Sequence, residues 1–124
     1  TSADDLEFMI NQHIRTTFNL FKVFEGPLAK NGWGRVIAVS ASTVPNPPGK
    51  SGVYTATKSA QENMVLSLAA ELKEAHVTAN IIHVRAIDVD NKGTGTTPAE
   101  IVSAMQYLFS DAADKVNGTR LPLY

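Results

Sequence analysis

Residues 34–58, GRVIAVSASTVPNPPGKSGVYTATK, decide the fold, because they pass from an apolar run through a polar loop into a helix. Residues 36–39 are wholly apolar and rich in β-branched side chains, which is typical of a strand covered on both faces. Residues 40–53 are rich in proline, glycine and hydroxyl side chains, and this composition predicts an exposed loop. The segment therefore predicts a buried strand whose following loop leads directly into a helix.

Long helices are predicted on both sides of this strand. Apolar residues recur in steps of three and four from Leu6 to Phe24 and, with Ser2 as N-cap, they predict a helix over residues 3–30. A second helix is predicted over residues 54–75. Its apolar stripe consists of Met64, Val65, Leu68, Ala69 and Leu72.

The remaining segments predict two more strands and one more helix. Residues 78–84, TANIIHV, are rich in β-forming side chains, and residues 119–123 are predicted as a short last strand. Between them Thr97, Pro98 and Glu100 have the spacing of an N-cap, a first-turn proline and a capping glutamate, so a third helix begins there. Strands separated by helices predict an α/β protein with a small parallel sheet of about three strands.

The composition excludes several classes of function. The 124 residues carry 11 basic and 12 acidic side chains, a formal net charge of −1, so nucleic acid is not an expected partner. The absence of cysteine excludes disulfides and thiolate sites, and the three histidines lack metal-ligand spacing, so no metal is expected. No apolar run reaches the roughly 18 residues that span a bilayer, and no signal peptide is visible. We therefore expect a cytoplasmic protein without a membrane partner.

The pair Tyr54 and Lys58 is the strongest local signal of chemistry. Residues four apart lie on one face of a helix, and an ammonium beside a phenol stabilises the phenolate and makes the pair suitable for proton transfer. An isolated Tyr-x-x-x-Lys on a helix is more often an ordinary surface pair. The function of this pair therefore depends on the sequence around it.

The stretch from GRVIAVSAS to YTATKSAQENMVLSLA, residues 34–69, resembles the short-chain dehydrogenase/reductase family. In that family a Gly-Arg-aliphatic strand ends at a serine, and a loop leads to the Tyr-x-x-x-Lys helix. Residues 5–24, 77–84 and 96–121 resemble the preceding helix, the next strand, and the last helix and strand. The resemblance implies one partial domain over residues 1–124, the C-terminal half of a three-layer Rossmann-like parallel sheet.

The resemblance also implies an oxidoreductase that uses NAD or NADP on a small carbonyl/alcohol substrate. It assigns Tyr54 as the general acid/base and Lys58 as its support and as a ligand of the nicotinamide ribose. The family's serine falls at Ala41, so Ser42 is the candidate for its role. The family's asparagine falls at His13, which can donate, accept or relay a proton near neutral pH.

Two departures from the family pattern concern the cofactor. Val84-Arg85 stands where the family has a Pro-Gly turn, and the threonine that follows in the family is replaced by Val89. The glycine-rich strand, turn and helix that hold the pyrophosphate are missing from this sequence. We therefore expect very weak dinucleotide affinity for this chain, and a non-catalytic structural or oligomerisation module remains the alternative function.

A homodimer or larger homo-oligomer is the expected assembly. The strand at residues 36–39 should leave a pairing edge open, and an open edge is normally covered. The resemblance implies that the two long helices pack against their two-fold mates. The residues expected near a buried seam or core are Phe18, Phe21, Met64 and Leu68.

Overall fold

A computed structural model describes residues 1–124 as a layer of three parallel strands between two layers of helices. The helices are α1 (Ala3–Met9), a π-helical turn (Ile10–Arg15), α2 (Thr16–Asn31), α3 (Gly52–Glu71) and α4 (Pro98–Phe109). The strands are β1 (Gly34–Ala41), β2 (Val77–Val84) and β3 (Arg120–Pro122). The α/β class, the order of the elements and the parallel sheet of three strands confirm the fold expected from the sequence.

The first helix is continuous through α1, the π-helical turn and α2. A capping box opens it, in which Ser2 Oγ accepts the Asp5 N–H and the Asp5 carboxylate accepts the Ser2 N–H. Gly32 ends it at φ 72°, a left-handed conformation that glycine adopts without strain. The helix predicted over residues 3–30 is confirmed, and the π-helical turn inside it is an addition that the spacing of apolar residues did not indicate.

The strands pair in the order β1-β2-β3, with all pairs parallel. β1 extends over Gly34–Ala41, so it is longer than the predicted residues 36–39, because it pairs with β2 along the whole length of both strands. Ser40 and Ala41, predicted in the loop, are therefore the last two residues of the strand. β2 is the central strand and all of its residues are buried.

Side chains alternate between the two faces of the sheet. On one face Ala79 and Ile81 of β2 pack against Val65 and Ala69 of α3. On the other face Ile82, the next residue of β2, packs with the apolar face of α4. Because both faces are covered, residues 36–39 of β1 form a continuous apolar run, whereas β2 also buries the polar residues Thr78, Asn80 and His83.

Helices α3 and α4 both begin directly after loops that the sequence predicts. Thr97 and Glu100 form the expected capping box at the start of α4, with Pro98 as its first residue. α3 begins at Gly52, directly after the proline-rich loop, and ends at Glu71. In consequence the start of α3 follows the carboxyl end of β1 after a loop of ten residues. No helix in the structure has the length and apolarity needed to cross a membrane.

Candidate active site

Tyr54 lies in the first turn of α3, beside the carboxyl ends of the parallel strands. Its side chain is 37% exposed, so the phenol is open to a ligand while its ring remains supported by neighbours. In open α/β sheets the carboxyl edge of the strands is where ligands usually bind. The fold therefore brings the phenol to the edge of the sheet at which chemistry is expected.

His13 packs against Tyr54 from the preceding helix. The two ring centroids are 5.6 Å apart and the ring planes meet at 82°, an edge-to-face contact. His13 Nδ1 is 2.8 Å from Thr57 Oγ1, whose hydroxyl also lies 3.0 Å from the Val53 carbonyl oxygen. A threonine hydroxyl that donates to that carbonyl has to accept the Nδ1–H of His13, which leaves Nε2 of His13 as an acceptor.

The π-helical turn is what carries His13. Its backbone bonds run five residues back, as in the bond from the Thr16 N–H to the Asn11 carbonyl, and the Thr16 hydroxyl donates to that carbonyl at 2.8 Å. The Thr17 hydroxyl donates to the His13 carbonyl at 2.7 Å. π-helical turns within α-helices occur frequently at functional sites. This turn sets the position of the imidazole relative to Tyr54.

Lys58 is a buried cation one helical turn after Tyr54. Its ammonium donates to the Val39 carbonyl oxygen at 3.2 Å and to Gln61 Oε1 at 2.7 Å. Gln61 Nε2 in turn donates to Thr17 Oγ1 at 3.0 Å. Burial lowers the pKa of Lys58, and the charge of Glu62 acts in the opposite direction. Two of the three ammonium donors thus have partners within the protein.

The structure brings His13, Tyr54 and Lys58 together, as the sequence predicted. Burial lowers the pKa of His13, and the charge of Lys58 lowers it further, so the imidazole is held neutral at neutral pH. No hydrogen bond joins Lys58 to Tyr54; the ammonium instead contacts the end of β1 through Val39. Any effect of Lys58 on the phenol in this structure is therefore exerted through charge.

The two serines near the end of β1 have different surroundings. Ser40 is buried and its hydroxyl donates to Glu62 Oε2 at 2.6 Å, so it is directed into the protein interior. Ser42 is half-buried, and its backbone N–H donates to the Val84 carbonyl at 2.9 Å. The Ser42 hydroxyl forms no hydrogen bond within the chain. Of the two serines, Ser42 is therefore the one whose hydroxyl has no hydrogen-bond partner within the protein.

Glu62 is a residue of the site that the sequence analysis missed. It is fully buried and accepts hydrogen bonds from one side chain of each strand: Ser40 of β1 at 2.6 Å, His83 of β2 at 2.9 Å and Arg120 of β3 at 2.8 Å. Burial alone would raise the pKa of Glu62, but these three donors outweigh it and hold the pKa below its ordinary value.

A signal for Glu62 was present in the sequence. Positions 62, 65 and 69 lie on one helical stripe, and the other two positions are the core residues Val65 and Ala69. A carboxylate on a buried stripe needs charged or hydrogen-bonding partners. Those partners come from three separate strands, so the residue types alone could not identify them.

Comparison with known proteins places this arrangement in a family. The family model described as short chain dehydrogenase matches residues 1–98. A short-chain type dehydrogenase/reductase of Picea abies is 33% identical and aligns with 86% of this chain and 39% of its own length. An NADPH-dependent aldehyde reductase-like protein of Arabidopsis thaliana is 27% identical and aligns with 99% of this chain and 52% of its own.

A solved structure has the same fold. The gluconate 5-dehydrogenase of Burkholderia cenocepacia, solved with NADP and tartrate, superposes with a TM-score of 0.89 at 19% identity. The superposition covers 99% of this chain and 56% of that enzyme, so the chain spans about half the length of the proteins it matches. The match of the family model over most of the sequence establishes that this chain belongs to the short chain dehydrogenase family.

Proposed function

We propose that this chain carries the proton-transfer site of an NAD(P)-dependent oxidoreductase that interconverts a carbonyl and an alcohol. Tyr54 donates its phenolic proton to the carbonyl oxygen during reduction and takes a proton from the alcohol during oxidation. The observation that supports this assignment is the exposed phenol at the carboxyl edge of the sheet, with His13 against its ring and the buried ammonium of Lys58 one turn behind it.

Lys58 and His13 support the phenol in different ways. Lys58 supplies a buried positive charge one helical turn after Tyr54, and we assign it the role of stabilising the negative charge left on the oxygen after proton donation. His13 is held neutral with Nε2 able to accept, so it can pass a proton between solvent and the site. Ser42, whose hydroxyl has no partner in the chain, is the candidate to donate a hydrogen bond to the substrate oxygen.

The donors present fit the ribose end of a nicotinamide cofactor, NAD or NADP. Lys58 uses two of its three ammonium donors within the protein, so the third is available for a ribose hydroxyl, and Tyr54 is the second residue proposed to contact that ribose. A bound nicotinamide supplies the hydride that the side chains of this site cannot supply. The Arabidopsis relative is named as NADPH-dependent, which supports a nicotinamide cofactor for this family member.

A second candidate function is a non-catalytic module that assembles copies of the chain. Ala41 in the position of the family's serine favours this alternative. So does the apolar surface of α2, where Phe18 and Phe24 are 55% and 53% exposed. Four residues were expected near a subunit seam or the core. Leu68 is buried in the core, Phe21 packs against the core, and Met64 is half-buried. Phe18 is the member of this set that is exposed on the surface. We propose a homodimer or larger homo-oligomer in either case.

The test is NAD(P)H-linked reduction of a panel of small aldehydes and ketones. Tyr54→Phe is expected to lower the rate by about 100-fold or more, because it removes the proton donor and keeps the ring. Lys58→Ala is expected to lower the rate strongly as well. Tyr107→Phe, an exposed tyrosine of α4, is the matched control and is expected to leave the rate unchanged. A folded Tyr54→Phe protein with full activity would overturn the assignment.

A further inference from the structure

A cavity lies at the edge of the sheet opposite the candidate active site, at the amino ends of β1 and β2. Its volume is about 420 Å³ and only two of its ten lining residues are hydrophobic. The strands are eight residues long, so at about 3.3 Å per residue this cavity is on the order of 20 Å from the site of Tyr54. The proposed oxidoreductase activity makes no use of it.

The charge of this cavity is positive. Arg35, Lys73 and Lys115 line it, and Asp114 is the one acidic residue in the lining. Asp114 forms an ion pair with Arg35, so the two lysines remain without a countercharge in the cavity. His76 adds a further nitrogen to the lining. A concave surface with this balance attracts small anions.

Two buried donors of the cavity have no acceptor. These are Arg35 Nε and the Thr78 hydroxyl, each shielded from solvent and without a hydrogen-bond partner. Arg35 and Thr78 are register partners in β1 and β2, so their side chains are neighbours on the same face of the sheet. Buried donors are rarely left unpaired, because each loses its bonds to water without replacement. Two adjacent unpaired donors beside a cationic cavity favour a ligand that carries several acceptor oxygens.

The rest of the Arg35 guanidinium is held in place. Nη1 donates to the Gly34 carbonyl at 3.2 Å, Nη2 donates to the Ser110 carbonyl at 3.3 Å, and the side chain is only 2% exposed. The Trp33 ring covers the guanidinium at 4.8 Å. The cation is therefore fixed before any ligand arrives, which limits the ordering cost of binding.

We propose that this cavity is a binding site for a small oxyanion, the phosphate or carboxylate group of a low-molecular-weight metabolite. Lys73 and Lys115 hold the oxygens by charge, and the Thr78 hydroxyl, which is shielded in this structure, donates to one of them after rotation of its side chain. Phosphate and carboxylate groups share this chemistry, since both present several acceptor oxygens to a cationic pocket. The site is separate from the proposed active site, so its occupancy can be measured without any assay of activity.

Trp33 is the single tryptophan of the sequence and lines the cavity, so its fluorescence reports occupancy. The experiment titrates the chain with inorganic phosphate and, separately, with citrate, while sodium chloride keeps the ionic strength constant. A saturable change in Trp33 fluorescence with either anion supports the site. The anion that binds with the higher affinity identifies the preferred chemical group. The absence of a saturable change with both anions at millimolar concentration overturns the proposal.

Substitutions separate a built site from general attraction by charge. Lys73→Gln with Lys115→Gln is expected to weaken binding about tenfold or more, since charge-assisted contacts are lost from exposed positions that do not hold the fold. Lys50→Gln with Lys92→Gln removes the same charge outside the cavity and is expected to bind as the unsubstituted chain does. Equal weakening by both double substitutions would overturn the proposal.

Thr78→Val tests the buried donor independently of net charge. It keeps the shape of the side chain and removes a hydroxyl that has no partner in the protein. We expect weaker anion binding with an unchanged or slightly higher melting temperature, because no intramolecular hydrogen bond is lost. Unchanged binding in a folded Thr78→Val protein would contradict the role given to this hydroxyl.

Discussion

Ser40 Oγ donates to Glu62 Oε2 at 2.6 Å, and this contact joins the end of β1 to α3 inside the protein. Ser40 directly follows Val39, whose carbonyl accepts from Lys58, and Lys58 is one helical turn before Glu62. The same two elements are therefore joined by two parallel contacts, one to a carboxylate and one to an ammonium. Glu62 therefore helps to hold the end of β1 against α3, the two elements that the Lys58 ammonium also joins.

Glu62→Gln is expected to destabilise the fold by about 1–3 kcal/mol, the cost of leaving a buried hydrogen-bonding group without a partner, because the Arg120 side chain is itself 45% exposed. The amide presents one acceptor oxygen to the three donors Ser40, His83 and Arg120, so Arg120 loses its countercharge. The measurement is urea denaturation at neutral pH. Glu74→Gln, at an exposed position, is the control, and equal stability of the two variants would contradict the prediction.

The stability of the chain should fall in acid because of the same carboxylate. Since the pKa of Glu62 is lowered in the folded state, its contribution is complete above the ordinary value of 4.5. That contribution is lost as the pH falls through the folded pKa. We expect the free energy of unfolding to decline below about pH 4.5, with a smaller decline in Glu62→Gln. If the free energy of unfolding declines equally with falling pH in the unsubstituted chain and in Glu62→Gln, other carboxylates are responsible for the loss of stability in acid.

His13 should titrate below its ordinary pKa, and Lys58 should be part of the reason. Burial is the larger cause and is unchanged by substitution of Lys58, so Lys58→Gln is expected to raise the pKa of His13 only partway toward 6.5. NMR titration of the imidazole protons measures this directly. Lys50→Gln, outside the site, serves as control, and an unshifted His13 in Lys58→Gln would exclude the charge effect.

The isolated chain should bind dinucleotides very weakly. Tyr54 and Lys58 are proposed to contact the ribose, but the sequence has no glycine-rich turn at a helix start to hold the charged pyrophosphate. Calorimetric titration with NADH and NADPH is expected to show no saturable heat at micromolar concentrations. The Burkholderia gluconate 5-dehydrogenase, which was solved with NADP, is a suitable positive control. Micromolar affinity for the chain alone would contradict the prediction.

Self-association should depend on the exposed face of α2. Phe18→Glu with Phe24→Glu places two charges on that face without touching the core, and is expected to shift the protein toward monomer. Light scattering at high micromolar concentration gives the mass. Val89→Glu, on the exposed loop after β2, is the control for added charge. A stable, non-aggregating monomer of the unsubstituted chain would rule out the proposed assembly.

Local chemistry made several elements predictable from the sequence. The capping pairs Ser2 with Asp5 and Thr97 with Glu100 define helix starts by contacts three residues apart, and such contacts need no tertiary structure. The strand β1 was predictable because residues 36–39 form a continuous apolar run, as expected for a strand covered on both faces. The shared position of Tyr54 and Lys58 followed from helical spacing alone.

What the sequence by itself determined is therefore the order and type of the elements, and it also supplied the candidate site residues His13, Ser42, Tyr54 and Lys58, whose roles are proposals. Only the tertiary structure decided where the Lys58 ammonium is bound and which donors surround Glu62, because those partners lie 19 to 58 residues away along the chain. The π-helical turn that orients His13 also lay beyond the sequence, since apolar residues spaced by three and four predict an ordinary helix. A contact between distant segments depends on how helices pack on the sheet, and that packing is a property of the whole chain.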